Sequence, residues 1–79
     1  MSREELYERL TEVFRDVFDD EEIEIEDETT SDDIPEWDSL EHINLVVAVE
    51  KTFGIKFEMG EISKFKNVGA MVDSILQKM

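Results

Sequence analysis

PEWDSLEHINLVVAVEKTF, residues 35–53, is the stretch whose reading decides the fold. At about 100° per residue from Ser39, His42, Leu45, Val46, Val49 and Phe53 fall between roughly 240° and 340°, on one side of a helix. Leu40, Ile43 and Val47 fall between roughly 40° and 100°, on another. Glu41, Asn44, Ala48, Lys51 and Thr52 fill the rest of the circumference. A helix on the surface of a small domain needs one apolar stripe, and this one has two. The pattern predicts a helix over 39–53 that packs on a core through the first stripe. The second is either a protein-docking strip or is covered by another element, such as the preceding loop or the last helix.

The ends of this helix are written in the sequence. Asp38 stands at the N-cap with Glu41 at the third helical position, and Gly54 can close the C-terminus. Ser39 is then the first helical residue, with its hydroxyl toward solvent at the positive end of the helix. That end suits a phosphate through its dipole and its free N–H groups. From position alone, an ordinary surface serine in a good capping sequence is the better account.

Working outward, Leu6, Leu10, Val13, Phe14 and Val17 recur at three- and four-residue steps and predict a helix over 3–18. Ser2 and Glu5 have capping-box spacing. Residues 19–37 form a long acidic connection. Ile23 and Ile25 alternate with acids there, but with no second strand to pair with, an ordered loop that tucks its isoleucines inward is expected. A short helical piece over 58–64 carries Ile62 between the core candidates Phe57 and Phe65. Asn67 can cap a last helix from Val68 to about Lys78, with Val68, Met71, Val72, Ile75 and Leu76 on one face. The expected fold is all-α: three main helices and one short helix over residues 1–79 as a single domain, with a long loop between the first two helices.

Charge and composition bound the function. The 79 residues carry 22 acids against eight lysines and arginines, a formal net charge of -14. Eighteen of the acids and three arginines lie in residues 1–42, against four acids and five lysines in residues 43–79. A surface so negative repels nucleic acid and anionic lipid and attracts basic protein patches, although acids also simply keep a small protein soluble. The absence of cysteine excludes disulfides, thiolate metal sites and cysteine nucleophiles. No apolar run approaches the roughly 18 residues of a membrane span, and the N-terminus lacks the features of a leader peptide, so a cytoplasmic monomer is expected.

Candidate chemistry is sparse. Eight of the ten residues from Asp19 to Glu28 are acids, but they lack the order of a calcium loop, and no metal site is expected. Ser39 has no nucleophile elbow, and His42 points about 60° away on the wheel, so catalysis by this pair is not expected. His42 reads as a packing residue at the edge of the core.

Trp37-Asp38-Ser39-Leu40, opening an acidic helix after a long loop, resembles the acyl carrier proteins, and the likeness runs over nearly the whole chain. The resemblance implies that Ser39 carries 4'-phosphopantetheine, attached from coenzyme A by a phosphopantetheinyl transferase, with Asp38 and Leu40 framing the site. It implies a non-catalytic carrier that holds acyl groups as thioesters, and so explains how a chain without cysteine could do thiol chemistry. It further implies docking of acyl-loading and acyl-processing enzymes of fatty-acid or related acyl biosynthesis, with Asp38, Glu41 and Glu50 meeting basic residues and Leu40, Ile43 and Val47 supplying apolar contact. The core stripe would line a space where some carriers shelter an acyl chain. Trp37 before the Asp-Ser-Leu triplet, and Asn44 and Lys51 where carriers of fatty-acid synthesis tend to have acids, depart from the family pattern. They leave room for a dedicated pathway. A peptidyl-type carrier charged by an adenylating enzyme would use the same serine. An acidic adaptor or ion-binding module without a covalent cofactor is the reading from another class.

Overall fold

The computed structural model describes all 79 residues and contains four helices and no strand: α1 (Arg3–Phe18), α2 (Ser39–Phe53), α3 (Met59–Ile62) and α4 (Val68–Lys78). The capping residues read from the sequence act as expected. Ser2 Oγ accepts the Glu5 amide at 3.1 Å, Asp38 Oδ1 accepts the Glu41 amide at 2.8 Å, and Asn67 Oδ1 accepts the Ala70 amide at 2.8 Å. Each side chain satisfies a backbone donor that the first helical turn leaves without a partner. Gly54 ends α2 at φ 66°, where a side chain would be strained. Asp19 takes the same left-handed conformation at φ 51° to end α1, which aspartate tolerates better than most residues.

α1 packs against α2 and, over a smaller area, against α4. Leu6, Leu10, Val13, Phe14 and Phe18 of α1 are buried with Leu45, Val46 and Val49 of α2 and Val68, Met71, Val72 and Ile75 of α4. Phe18, rather than Val17, completes the α1 face, and Val17 and Phe53 lie only partly buried at the margin.

The acidic connection folds onto this core. Ile23, Ile34 and Trp37 are buried and Ile25 is partly so. Arg15 Nε donates to the Ile23 carbonyl at 2.9 Å, holding the loop to α1. Farther along, the carbonyls of Thr29 and Asp27 accept the Val68 and Gly69 amides at 2.9 and 3.0 Å, so the loop caps α4 from outside. A Cβ at Gly69 would sit 3.0 Å from the Asp27 carbonyl oxygen, so any larger residue would press the loop outward by a few tenths of an ångström. Arg3 spans Asp27 and Asp73, with 2.9 Å contacts to each, and the Tyr7 hydroxyl donates to the same Asp27 carboxylate. Burial, reinforced by that hydrogen bond, pushes the Tyr7 hydroxyl well above its ordinary range, and the bonds from Tyr7 and Arg3 lower Asp27.

The short third helix is shorter than the expected 58–64. Only 59–62 is helical, no residue of α3 is buried, and Glu58 makes no side-chain cap. A helix this short nucleates poorly on its own. Polar ties and flanking rings hold it instead. Lys78 Nζ and Ser74 Oγ donate to the Glu61 carboxylate at 2.9 and 3.3 Å, lowering the Glu61 pKa chiefly through Lys78. On either side, Phe57 is buried, and Phe65, partly buried, packs edge-on against it, with ring centroids 5.1 Å apart.

Candidate functional site

The N-terminus of α2 is where the expected residues meet. Ser39 is its first residue and is exposed. The Asp38 carboxylate is engaged with the Glu41 amide, and the Asp38 carbonyl accepts the His42 amide at 2.8 Å. The Ser39 and Leu40 amides find no backbone acceptor, so two donors at the positive end of the helix stay open beside the serine hydroxyl.

An open cleft of about 370 Å³ lies beside Ser39, between the preceding loop, the start of α2 and the segment around α3. Trp37, Ile62 and Phe65 give it three apolar walls, while Ser31, Ser63 and Lys66 bring polar groups from elsewhere in the chain. Asp38 is the one acid on its lining and Lys66 the one lysine, in a protein otherwise dominated by negative charge. An anion joined to Ser39 would therefore meet free amides, a helix dipole and a nearby ammonium group. The residues present fit a phosphodiester there.

His42 is not free to act on Ser39. Trp37 Nε1 donates to His42 Nδ1 at 3.0 Å, and His42 Nε2 lies 3.2 Å from the Ile62 carbonyl oxygen. Both ring nitrogens are thus committed, and neither is left to serve as a base. Nor does the molecule gather three or more His, Asp or Glu side chains as metal ligands would be.

The second stripe of α2 faces solvent. Leu40, Ile43 and Val47 are 68%, 59% and 43% exposed, and Met59 of α3 is exposed as well. The loop and α4 leave this strip uncovered. Its flanking acids are differently placed. Glu41 accepts the Asn44 side-chain amide at 3.0 Å, and Glu50 is half-buried and accepts the Phe57 amide at 2.8 Å. One Glu50 oxygen is thus occupied in holding the chain between α2 and α3. This internal bond was not legible from the wheel, because its partner lies beyond the helix.

The Trp37–His42–Ile62 tie and the contribution of Ser31, Ser63 and Lys66 were also not foreseen. The sequence offers a faint signal for the tie. The single tryptophan and the single histidine stand five residues apart across a helix start, each with a polar ring atom that burial obliges to find a partner.

Comparison with known proteins bears on this site. The family "Phosphopantetheine attachment site" matches residues 8–75. The chain is similar to an acyl carrier protein of Petrotoga mobilis, 32% identical over 79 residues, which spans 100% of this chain and 93% of that protein. It is likewise similar to an acyl carrier protein of Acidothermus cellulolyticus, 32% identical over 75 residues, covering 95% and 89% of the two chains. Among solved structures, the solution NMR structure of holo acyl carrier protein from Geobacter metallireducens superposes with a TM-score of 0.86 at 47% identity, over 91% of this chain and 83% of that one.

Proposed function

This chain belongs to the acyl carrier protein family, whose members carry covalent 4'-phosphopantetheine, and on that premise we propose that Ser39 is the attachment point and residues 1–79 one carrier domain. The observation that carries the assignment is the exposed hydroxyl of Ser39 on an N-terminus with two open amides, next to a cleft that fits an anion. In the loading step the Ser39 oxygen forms a phosphodiester with the pantetheine-side phosphorus of coenzyme A. The diphosphate bond breaks, adenosine 3',5'-bisphosphate leaves, and the serine proton passes to the transferase. Once bound, the group supplies a thiol that holds acyl cargo as a thioester.

The chain's own residues then present the arm. Asp38 fixes the first turn of α2 and keeps Ser39 outward, while Leu40, Ile43 and Val47 form the apolar center of a docking strip for acyl-loading and acyl-processing enzymes. Acids around it, including Asp38 and Glu41, steer basic partner surfaces. Glu50 contributes through its remaining oxygen. Neutral Asn44 and basic Lys51 on the same helix favor partners of a dedicated acyl pathway over those of general fatty-acid synthesis.

Intact-protein mass tests the attachment. After incubation with coenzyme A, Mg2+ and a broad-specificity phosphopantetheinyl transferase, the apo protein gains one phosphopantetheine, mapped to Ser39, and Ser39→Ala gains none. Modification of Ser39→Ala refutes the assignment. Offering acyl donors on one side, and ATP, amino acids and an adenylating enzyme on the other, distinguishes an acyl from a peptidyl-type carrier.

A further inference from the structure

We propose that His42 is a positioning residue for the attachment segment: in its neutral form it latches Trp37, two residues before Ser39, to the first turn of α2, and its protonation releases that latch. The inference rests on the assignment of Ser39 for its consequence, but not for its structural content.

The argument begins with donors and acceptors. An indole N–H can only donate, so His42 Nδ1, 3.0 Å away, must offer a lone pair. In a neutral imidazole the proton then sits on Nε2, which faces a carbonyl oxygen that can only accept, at 3.2 Å. One tautomer satisfies both contacts, and the sequence supplies the two groups once each. The rings are inclined by 22° with centroids 5.9 Å apart, and their bonded nitrogens are closer than the centroids by almost half. That is an edge-to-edge arrangement, in which the imidazole meets the N–H edge of the indole and not its π face.

Protonation therefore acts on the two contacts in opposite ways. A proton on Nδ1 would face the Trp37 N–H donor to donor, and the positive ring would meet the positive edge of the indole. The Nε2–H bond to Ile62 would instead become charge-assisted and tighten. Histidine is the side chain that ordinarily changes charge between about pH 5 and 8. Across the cleft it shares Asp38, whose carboxylate is engaged with the Glu41 amide, and Lys66, of opposite sign. Phe65 meets its ring edge-on from the segment after α3, and Phe14 and Phe18 of α1 pack against Trp37.

The consequence is local. Trp37 is 6% exposed and closes the inner wall of the cleft beside Ser39. Losing the one partner of its indole N–H loosens the residue that leads into the Asp38 cap, while α3 stays tied to α2 through Ile62. Loading of Ser39 then falls on acidification by more than the transferase alone accounts for.

Apo protein gives the test, because Trp37 is the sole tryptophan and His42 the sole histidine. From pH 8 to 5 the emission of Trp37 is expected to move to longer wavelength and its quenching by acrylamide to rise, with the midpoint of the His42 ring proton resonances. In His42→Gln, whose amide can accept and donate but does not titrate, the step vanishes while the fold remains. A step that persists in His42→Gln, or a midpoint that differs from that of His42, overturns the proposal. Should His42→Gln not fold, the wild-type indole N–H resonance decides. A protection factor, taken against the intrinsic exchange rate at each pH, that falls as His42 protonates supports the latch, and an unchanged protection factor overturns it. None of these readouts requires phosphopantetheine, so failure of the latch and failure of the Ser39 assignment are separable.

Discussion

Replacing Ile43 by alanine, beside Leu45→Ala two residues on, tests the two-stripe reading of α2. Full burial of an isoleucine side chain is worth roughly 1.5–3 kcal/mol. Ile43 is 59% exposed, so only about two-fifths of that, roughly 0.6–1.2 kcal/mol, is at stake. Alanine's better helix propensity returns up to about 0.5 kcal/mol. The net cost is then below about 1 kcal/mol, or less than about 8 °C in melting temperature for a domain of this size. Leu45 is fully buried, and its truncation costs about 2–5 kcal/mol. A chain of 79 residues has roughly 4–12 kcal/mol in total, so that single change removes a large fraction of it. Denaturant and thermal melts followed by circular dichroism give the stabilities, and kcat/KM of pantetheinylation gives the docking contribution. Ile43→Ala should keep its fold and lose up to about tenfold in kcat/KM, the scale of a moderate interface residue. A loss above about 2 kcal/mol in Ile43→Ala would mean that the strip is packed against something. Wild-type loading by every partner tried would mean that the strip is exposed for no partner.

Two further results should follow from the tie between the acidic loop and the helices. The Asp27 and Glu61 carboxylates are lowered from ordinary values of 3.8 and 4.5, so their contribution is present above those values and is lost as pH falls from them through the lower values of the folded protein; acid melts should lose stability below about pH 4, and Asp27→Asn should flatten that limb. Tyr7 behaves oppositely, since its raised hydroxyl stabilizes the fold while protonated; the ultraviolet titration of this sole tyrosine should lag behind free tyrosine, and Asp27→Asn should recover only part of the lag because burial is the larger cause. Gly69→Ala gains about 1 kcal/mol of helix propensity but places a methyl 3.0 Å from the Asp27 carbonyl, an overpacking that costs about 1–3 kcal/mol; a net loss in denaturant melts is expected, and a stabilized variant would refute the close approach.

Much of the architecture was legible in local chemistry. Asp38, Asn67 and Gly54 are residues whose preferred roles are set within one turn, so the boundaries they predict hold. Period alone separated Leu45 and Val49 from Ile43 and Val47. What escaped the sequence depends on groups distant along the chain. Glu50 looks like a surface acid until the chain after α2 turns back and offers the Phe57 amide. Trp37 looks like an anomaly ahead of the serine until α1 supplies Phe14, whose ring it meets at 86°, and α2 supplies His42. The short helix was overextended because Phe57 and Phe65, its apparent ends, are anchors of the flanking backbone and not parts of the helix.

The bridging of Arg3 to Asp27 and Asp73 has a kinetic side. The two contacts close loops of 24 and 70 residues. Loop-closure entropy makes the longer one costlier by about 1 kcal/mol. The order of assembly is then biased: α1 gathers the acidic connection first, and α4 docks onto a surface already formed. Asp27 should show a higher φ-value than Asp73 in folding kinetics, and the reverse ranking would show that the chain ends meet before the loop settles.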